Sequence, residues 1–147
     1  MKIIIFLLML TAIQLNAATY YVAKTGSDSN SGSAASPWLT AQKAANTMLA
    51  GDTVNIAAGN YLENIRISTS GTAQNRITYN GPGTILTANI SANYITVSNV
   101  TWNSGSQPVV QWDGGNGKLL NSRFRGKTMK NLNVNGVNML VDGCDWT

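Results

Sequence analysis

A sequence repeat with a period of 22 positions runs through the C-terminal part of this 147-residue chain and constrains its fold more than any other feature. Trp146, Phe124 and Trp102 are each 22 positions apart. Other positions keep the same spacing, and within each unit apolar residues lie two apart, as in a strand with one buried face. The sets in register are Val141, Leu119 and Val97; Cys144, Ser122 and Val100; Met139, Gly117 and Ile95; Val134, Trp112 and Ile90; and Leu132, Val110 and Ala88.

One position between two apolar strands in every unit holds Asn99, Asn121 or Gly143. Asparagine and glycine are the residues that most readily adopt a left-handed backbone, so we expect a tight corner there. A helical repeat would instead show a period near 3.6 within each unit. The sequence predicts an all-β fold, a right-handed single-stranded parallel β-helix whose coils stack about 4.8 Å apart.

The first residues have the organisation of an export signal. Lys2 precedes an apolar run from Ile3 to Leu10, and small residues follow up to Ala17 and Ala18. This order is typical of a secretory signal peptide, and the run is shorter than the roughly 20 residues of a membrane-spanning helix. We predict cleavage after Ala17, a signal peptide over 1–17, a secreted protein (extracellular or periplasmic) and no membrane contact after cleavage.

The next segment predicts a helix that covers the open end of the solenoid. Thr40 precedes apolar residues at helical spacing, and Gly51 follows as a stop, which favours an amphipathic helix over about 40–50. We therefore divide the mature chain into 18–52, with a strand, a loop and this capping helix, and 53–147, with the coils. The apolar helix positions are Ala41, Ala44, Ala45, Met48 and Leu49, and the first coils are expected to contain strands at 53–56, 65–67, 76–79 and 84–86.

Residue counts exclude several kinds of site. The chain has no histidine, which excludes a catalytic histidine and a histidine-ligated zinc site. Cys144 is the only cysteine, so no disulfide forms within the chain and packing must stabilise it. The formal charge is +4, with 10 basic and 6 acidic residues, and becomes +3 when Lys2 leaves with the signal peptide.

The N-terminal half resembles a known family. The stretch from Tyr20 reads YYVAKTGSDSNSGSAASPWLTAQKAANTMLAGDTVNIAAGNY and is followed from Ser70 by SGTAQNRITYNGPGTIL. It is similar to the opening of pectate-lyase-like β-helix proteins, including relatives of chondroitinase B and alginate lyases. The resemblance covers roughly residues 20–102 and implies the fold. Family members have many coils, so it also implies that the chain is an N-terminal part, truncated at Thr147, with no matching catalytic or calcium motif.

Basic residues near the end of the repeat are one candidate site. Arg123, Arg125 and Lys127, with Lys130, could hold an anionic polysaccharide. Asp145, however, is one repeat after Arg123 and should lie beside it on the next coil, so an ion pair between coils is an equal alternative.

Two amides in register are a second candidate. Gln111 and Asn133 point outward between buried neighbours, on a face where the related β-helices bind sugar, and Asp113 and Asn135 extend that face. Amides suit sugar hydroxyls because they both donate and accept hydrogen bonds. A polar ladder that supports the sheet is the favoured alternative.

Two further motifs have structural explanations that we favour over functional ones. The run Asp28-Ser29-Asn30-Ser31-Gly32 has alternating oxygen ligands like a calcium loop, but it lacks the later glutamate, so a turn is favoured. Trp102, Trp112 and Trp146 occupy inward positions, which favours core packing over a sugar-stacking platform.

Two functional hypotheses follow. The first is the N-terminal part of an exported polysaccharide-acting enzyme, with a lyase that cleaves acidic glycans by β-elimination favoured over a glycoside hydrolase, and the fragment itself inactive. The second is a non-catalytic surface or glycan-binding protein. An acidic polysaccharide is the expected partner, with no nucleic acid. No cofactor or metal is expected in this segment, although calcium is compatible with a full-length form. Self-association through an uncapped last coil is also expected.

Overall fold

The computed structural model describes residues 16–103, 110–125 and 132–147, and in these ranges the chain is a parallel β-solenoid with one short helix. This confirms the predicted fold. No helix in the described part of the chain is long and apolar enough to cross a membrane. The elements are β1 (Thr19–Val22), α1 (Ala41–Thr47), β2 (Thr53–Ile56), β3 (Asn60–Ile67), β4 (Ile77–Asn80), β5 (Thr84–Ile90), β6 (Ile95–Ser98), β7 (Thr101–Asn103), β8 (Val110–Trp112), β9 (Lys118–Leu120), β10 (Arg123–Arg125), β11 (Leu132–Val134), β12 (Leu140–Asp142) and β13 (Asp145–Trp146).

The strands form three faces of the solenoid. The first face consists of β1, β2, β4, β6, β9 and β12 in that order. The second face contains β7, β10 and β13 together with the starts of β3 and β5. The third face contains β8 and β11 together with the ends of β3 and β5. The long strands β3 and β5 therefore each run through both the second and the third face. In later coils, two separate strands occupy these two faces.

The strand register confirms the predicted repeat from β6 onwards. Thr96 pairs with Lys118, and Lys118 pairs with Leu140, so each step equals one repeat. Earlier coils are irregular, because Asn55 pairs with Asn80, which is 25 residues away. The expected strand over 53–56 is confirmed, whereas those at 65–67, 76–79 and 84–86 correspond to the longer or shifted strands β3, β4 and β5.

Inward side chains stack from coil to coil. The rings of Trp102 and Phe124 lie 6.4 Å apart, and those of Phe124 and Trp146 lie 5.5 Å apart. Trp102 and Trp112 are completely buried, as core packing predicts, but Trp146 is 52% exposed because no described strand covers the last coil. Val141, in β12 of the same last coil, is also exposed. Self-association through this apolar surface stays a prediction.

The tight corners have the predicted backbone. The φ angles of Asn99, Asn121 and Gly143 are 59°, 48° and 62°. A second left-handed series consists of Tyr94, Asn116 and Asn138, with φ angles of 56°, 54° and 56°. This series was not predicted from the sequence, although its members are also one repeat apart.

Helix α1 is shorter than predicted. Thr40 caps its N-terminus by accepting a hydrogen bond from the Lys43 amide, as a threonine before a helix should. The helix ends at Thr47, not near residue 50, because the Leu49 amide donates to the Asp52 carboxylate instead of continuing the helical pattern. Leu49 is consequently 55% exposed, and its predicted place on the buried face is wrong.

Side chains attach α1 to the edge of β3. The amide of Gln42 both donates to the Arg66 carbonyl and accepts from the Arg66 backbone N–H, as a neighbouring strand would. Glu63, at the bulge of β3, accepts from the backbone amides of Ala41 and Gln42 at the helix N-terminus. The helix thus covers an edge that would otherwise expose unpaired backbone groups.

Candidate functional site

The predicted amides form a ladder on the third face. Gln111 is central in β8 and Asn133 is central in β11, and the two are register partners. The Asn133 side-chain amide donates to the Gln111 Oε1 atom over 2.7 Å. Asn89 occupies the same position on β5, so one outward column of amides crosses three coils. This arrangement is the supporting ladder, and sugar binding by it remains a prediction.

A carboxylate joins this ladder at its side. One oxygen of Asp113 accepts from the Gln111 amide and, over 2.9 Å, from the Asn135 amide. Asp113 and Asn135 are exposed. A band of amides thus lies on this surface, and the Asp113 carboxylate fixes the orientation of two of them. Such amides can hydrogen-bond to hydroxyl groups on a ligand.

The basic candidates lie on the second face. The Arg123 Nε atom is 3.3 Å from the Asp145 carboxylate on the next coil, and both side chains are about half exposed, at 51% and 53%. The predicted ion pair between coils is therefore present. Arg125 is exposed and lies in register with Asn103. Lys127 and Lys130 lie outside the described residues.

The two candidate groups occupy neighbouring faces instead of one cluster. Their register positions on β5 are Thr84 for Arg123 and Asn89 for Gln111. These are five residues apart along β5, which at about 3.3 Å per residue corresponds to roughly 16 Å along the strand. A polymeric ligand is long enough to contact both.

A polar cleft of about 300 Å³ lies where the first face meets the second. It crosses three coils, and the left-handed corner residues form one side of it. Its lining residues are Asn99, Val100, Thr101, Asn121, Ser122, Arg123, Gly143 and Asp145. Arg123 thus borders a concave surface, although it already contacts Asp145 there.

An arginine in an irregular coil makes contacts that the sequence did not indicate. The Arg76 guanidinium donates to the Thr96 hydroxyl and to the carbonyls of Ile95 and Asn116, and it lies over the Tyr94 ring at 5.9 Å. Burial lowers the pKa of Arg76 from its ordinary value, and Tyr94 acts in the opposite direction. Arg76 connects three successive coils, so its role is structural. Its distance from these partners along the chain is not that of the repeat, which is why the repeat did not reveal it.

The segment that resembles a calcium loop is a turn held by its own chain. Asp28 accepts hydrogen bonds from the backbone amides of Leu39 and Thr40 and from the Thr40 hydroxyl. Asn30 donates to the Pro37 carbonyl. The carboxylate of Asp28 thus orients the residues before α1. Across the ranges that the structure describes, no group of three or more acidic, cysteine or histidine side chains is placed to hold a metal ion.

Comparison with known proteins gives likeness in structure only. No protein-family profile matches the chain, and no curated protein matches its sequence. A rhamnogalacturonan lyase superposes with a TM-score of 0.60 and 17% identity, over 88% of this chain and 51% of that protein. A GH136 lacto-N-biosidase from Eubacterium ramulus superposes with a TM-score of 0.67 and 14% identity, over 88% of this chain and 34% of that protein. The chain thus spans about half of the length of the first protein and about a third of the second, and the likeness is one of fold, which in this chain is a parallel β-solenoid.

Proposed function

We propose that this chain supplies N-terminal coils of an exported β-helix protein that acts on acidic polysaccharides, and that the full-length protein is a lyase working by β-elimination. The outward amide column of Asn89, Gln111 and Asn133 is the observation that carries this proposal. The structural neighbours support a carbohydrate ligand, since one is named as a lyase and the other as a biosidase.

The geometry of the column suits a polymer. Successive coils repeat about every 4.8 Å along the solenoid axis, so equivalent side chains form a row in that direction. An extended glycan lying along the row meets Asn89, Gln111 and Asn133 in turn. Each amide has donor and acceptor atoms, of which the ladder itself uses only part.

Two arginines near the amide column favour an acidic glycan over a neutral one. Arg125 is exposed on the adjacent face, and Arg123 is half exposed in spite of its contact with Asp145. Guanidinium groups bind carboxylates with paired hydrogen bonds, so a uronate that extends past the amide column has a partner on β10. In β-elimination such a cation would neutralise the uronate carboxylate while a base removes the adjacent proton.

A binding assay tests the proposal on the secreted chain. Affinity electrophoresis with polygalacturonate, alginate and chondroitin sulfate, against a neutral glucan, should show retardation by an acidic polymer only. Arg125→Ala should weaken this binding about tenfold, corresponding to about 1.4 kcal/mol. Lys118→Ala, which removes one charge from the first face, is the matched control and should change affinity less than twofold. Equal loss in both variants, or no binding to any acidic glycan, would contradict the proposal.

A second candidate function is a non-catalytic glycan-binding surface protein. The contacts that two carboxylates, those of Asp113 and Asp145, make within the protein favour this second function. Asp113 accepts from two amides through one oxygen, and Asp145 contacts Arg123, so each of these two carboxylates already has a structural partner in the described part of the chain. The ultraviolet absorbance of an unsaturated uronate product, followed with and without calcium in full-length protein, separates the two. Binding without that product would support the second function.

A further inference from the structure

A buried carboxylate that forms no ion pair within the described ranges lies where the first coil begins. Asp52 is in the turn between α1 and β2 and is only 5% exposed. One oxygen accepts from the Ala18 backbone nitrogen over 2.8 Å, and the other accepts from the Leu49 backbone nitrogen over 2.8 Å. In the described part of the chain the one ion pair is between Arg123 and Asp145. Asp52 is thus held by two neutral donors, an arrangement that leaves a desolvated charge uncompensated.

The first of these donors is the residue that the export signal predicts as the mature N-terminus. Ala18 is anchored at both ends, because its nitrogen contacts Asp52 and its carbonyl accepts from the Thr53 amide. Strand β1 begins at the next residue, where Thr19 pairs with Thr53. Ala17 is exposed. The ordered ladder therefore starts at Ala18, immediately after the predicted cleavage point.

We propose that cleavage of the Ala17–Ala18 bond creates an α-ammonium group that forms a buried ion pair with Asp52 and thereby fixes the first coil of the solenoid. The inference rests on the proposed export. In the cleavage, a signal peptidase adds water across the bond: hydroxide goes to the Ala17 carbonyl and a proton goes to the Ala18 nitrogen. The new amine then takes one further proton from solvent, as amines do at neutral pH.

The position of the nitrogen is what makes this pair specific. It is already at hydrogen-bond distance from Asp52, so cleavage adds a positive charge without moving the chain. Charge-assisted hydrogen bonds are about twice as strong as neutral ones. Cleavage one residue later would remove Ala18 and both of its contacts. Cleavage one residue earlier would place the charge on the exposed Ala17 instead. Of these three neighbouring bonds, only Ala17–Ala18 yields an ammonium group beside Asp52.

The first test locates the mature N-terminus. The full 147-residue chain is expressed in a host with a secretory pathway, and the exported product is analysed by intact mass and N-terminal sequencing. A first residue of Ala18 is expected. An exported product that starts elsewhere would overturn this inference while leaving export intact. Failure to be exported or processed at all would instead refute the export part of the proposed function.

The second test measures the ion pair directly. Residues 18–147 are prepared with a free or an acetylated amine, each with Asp52 or with Asp52→Asn. Acetylation retains the N–H donor and removes the charge. It should lower the thermal midpoint by about 3–6 °C when Asp52 is present and by less than about 1 °C with Asp52→Asn. Equal shifts in the two backgrounds would overturn the proposal.

An extension variant keeps the test decisive if Asp52→Asn does not fold. A Gly-Ser dipeptide before Ala18 leaves Asp52 intact and moves the charge outward by two residues. Its midpoint should fall as far as that of the acetylated chain. A midpoint equal to that of the free Ala18 form would show that the charge at this nitrogen has no role.

Discussion

The first coils and the last three coils are built by different means. From β6 onwards, equivalent residues are one constant repeat apart, and each coil has the inward stack and left-handed corner of the previous one. Before β6 the coil length varies: Asn80 pairs with Ser98, which is only 18 residues away. There, single polar side chains such as Glu63 and Arg76 hold elements in place. Periodic packing distributes stability over many equivalent contacts, whereas irregular coils depend on individual ones.

The largest effect should come from the periodic core. Trp102→Ala removes a completely buried ring that stacks on Phe124, and it should lower the free energy of unfolding by about 3–5 kcal/mol. Urea unfolding followed by circular dichroism measures this. Trp146→Ala is the control in the same column and should cost about 1 kcal/mol, since that ring is half exposed. Equal losses of stability for Trp102→Ala and Trp146→Ala would contradict the inference that the buried stack ends at the last coil.

The next effect concerns the irregular region. Arg76→Met removes the hydrogen bonds to Ile95, Thr96 and Asn116 and should lower the free energy of unfolding by about 2 kcal/mol. Arg66→Met is the matched control, because Arg66 is exposed and its described hydrogen bonds are made by the backbone. It should change stability by less than about 0.5 kcal/mol. If Arg76→Met lowers the free energy of unfolding no more than Arg66→Met does, the Arg76 hydrogen bonds do not stabilise the first coils.

A smaller effect is expected at a periodic corner. Asn121→Val forces a β-branched side chain into a backbone with φ 48° and should cost about 1–2 kcal/mol in thermal or urea unfolding. Asn121→Gly should cost less, because glycine accepts that conformation. Asn133→Val, at an extended strand position, tests whether valine itself is the cause. A loss for Asn133→Val as large as for Asn121→Val would argue against corner strain.

The smallest effect should be that of the exposed ion pair between coils. A double-mutant cycle with Arg123→Met and Asp145→Asn should give a coupling of about 0.2–1 kcal/mol, because both side chains are half exposed. The coupling should decrease as salt is added. A value above about 2 kcal/mol, or one that does not respond to salt, would mean that this pair stabilises the repeat as much as Arg76 stabilises the first coils.

The periodic and irregular coils also differ in how far their contacts are predictable from the sequence. The inward column of Trp102, Phe124 and Trp146 and the corners at Asn99 and Asn121 were predictable, because a repeated spacing states which residues share a position in successive coils. The ion pair of Arg123 with Asp145 followed from the same rule. The end of α1 did not, since the Asp52 side chain competes for the Leu49 amide and local propensity cannot show that.

For the candidate site, the repeat spacing predicted the outward columns and therefore the alignment of Gln111 with Asn133. The hydrogen bond between these amides and the position of Arg123 on a different face are apparent only in the folded chain. The same is true of the contacts of Ala18 with Asp52 and of Arg76 with Asn116, whose partners are 34 and 40 residues apart. The physical reason is that a repeat encodes contacts at one fixed separation. Contacts between coils of unequal length depend on the path of the folded chain.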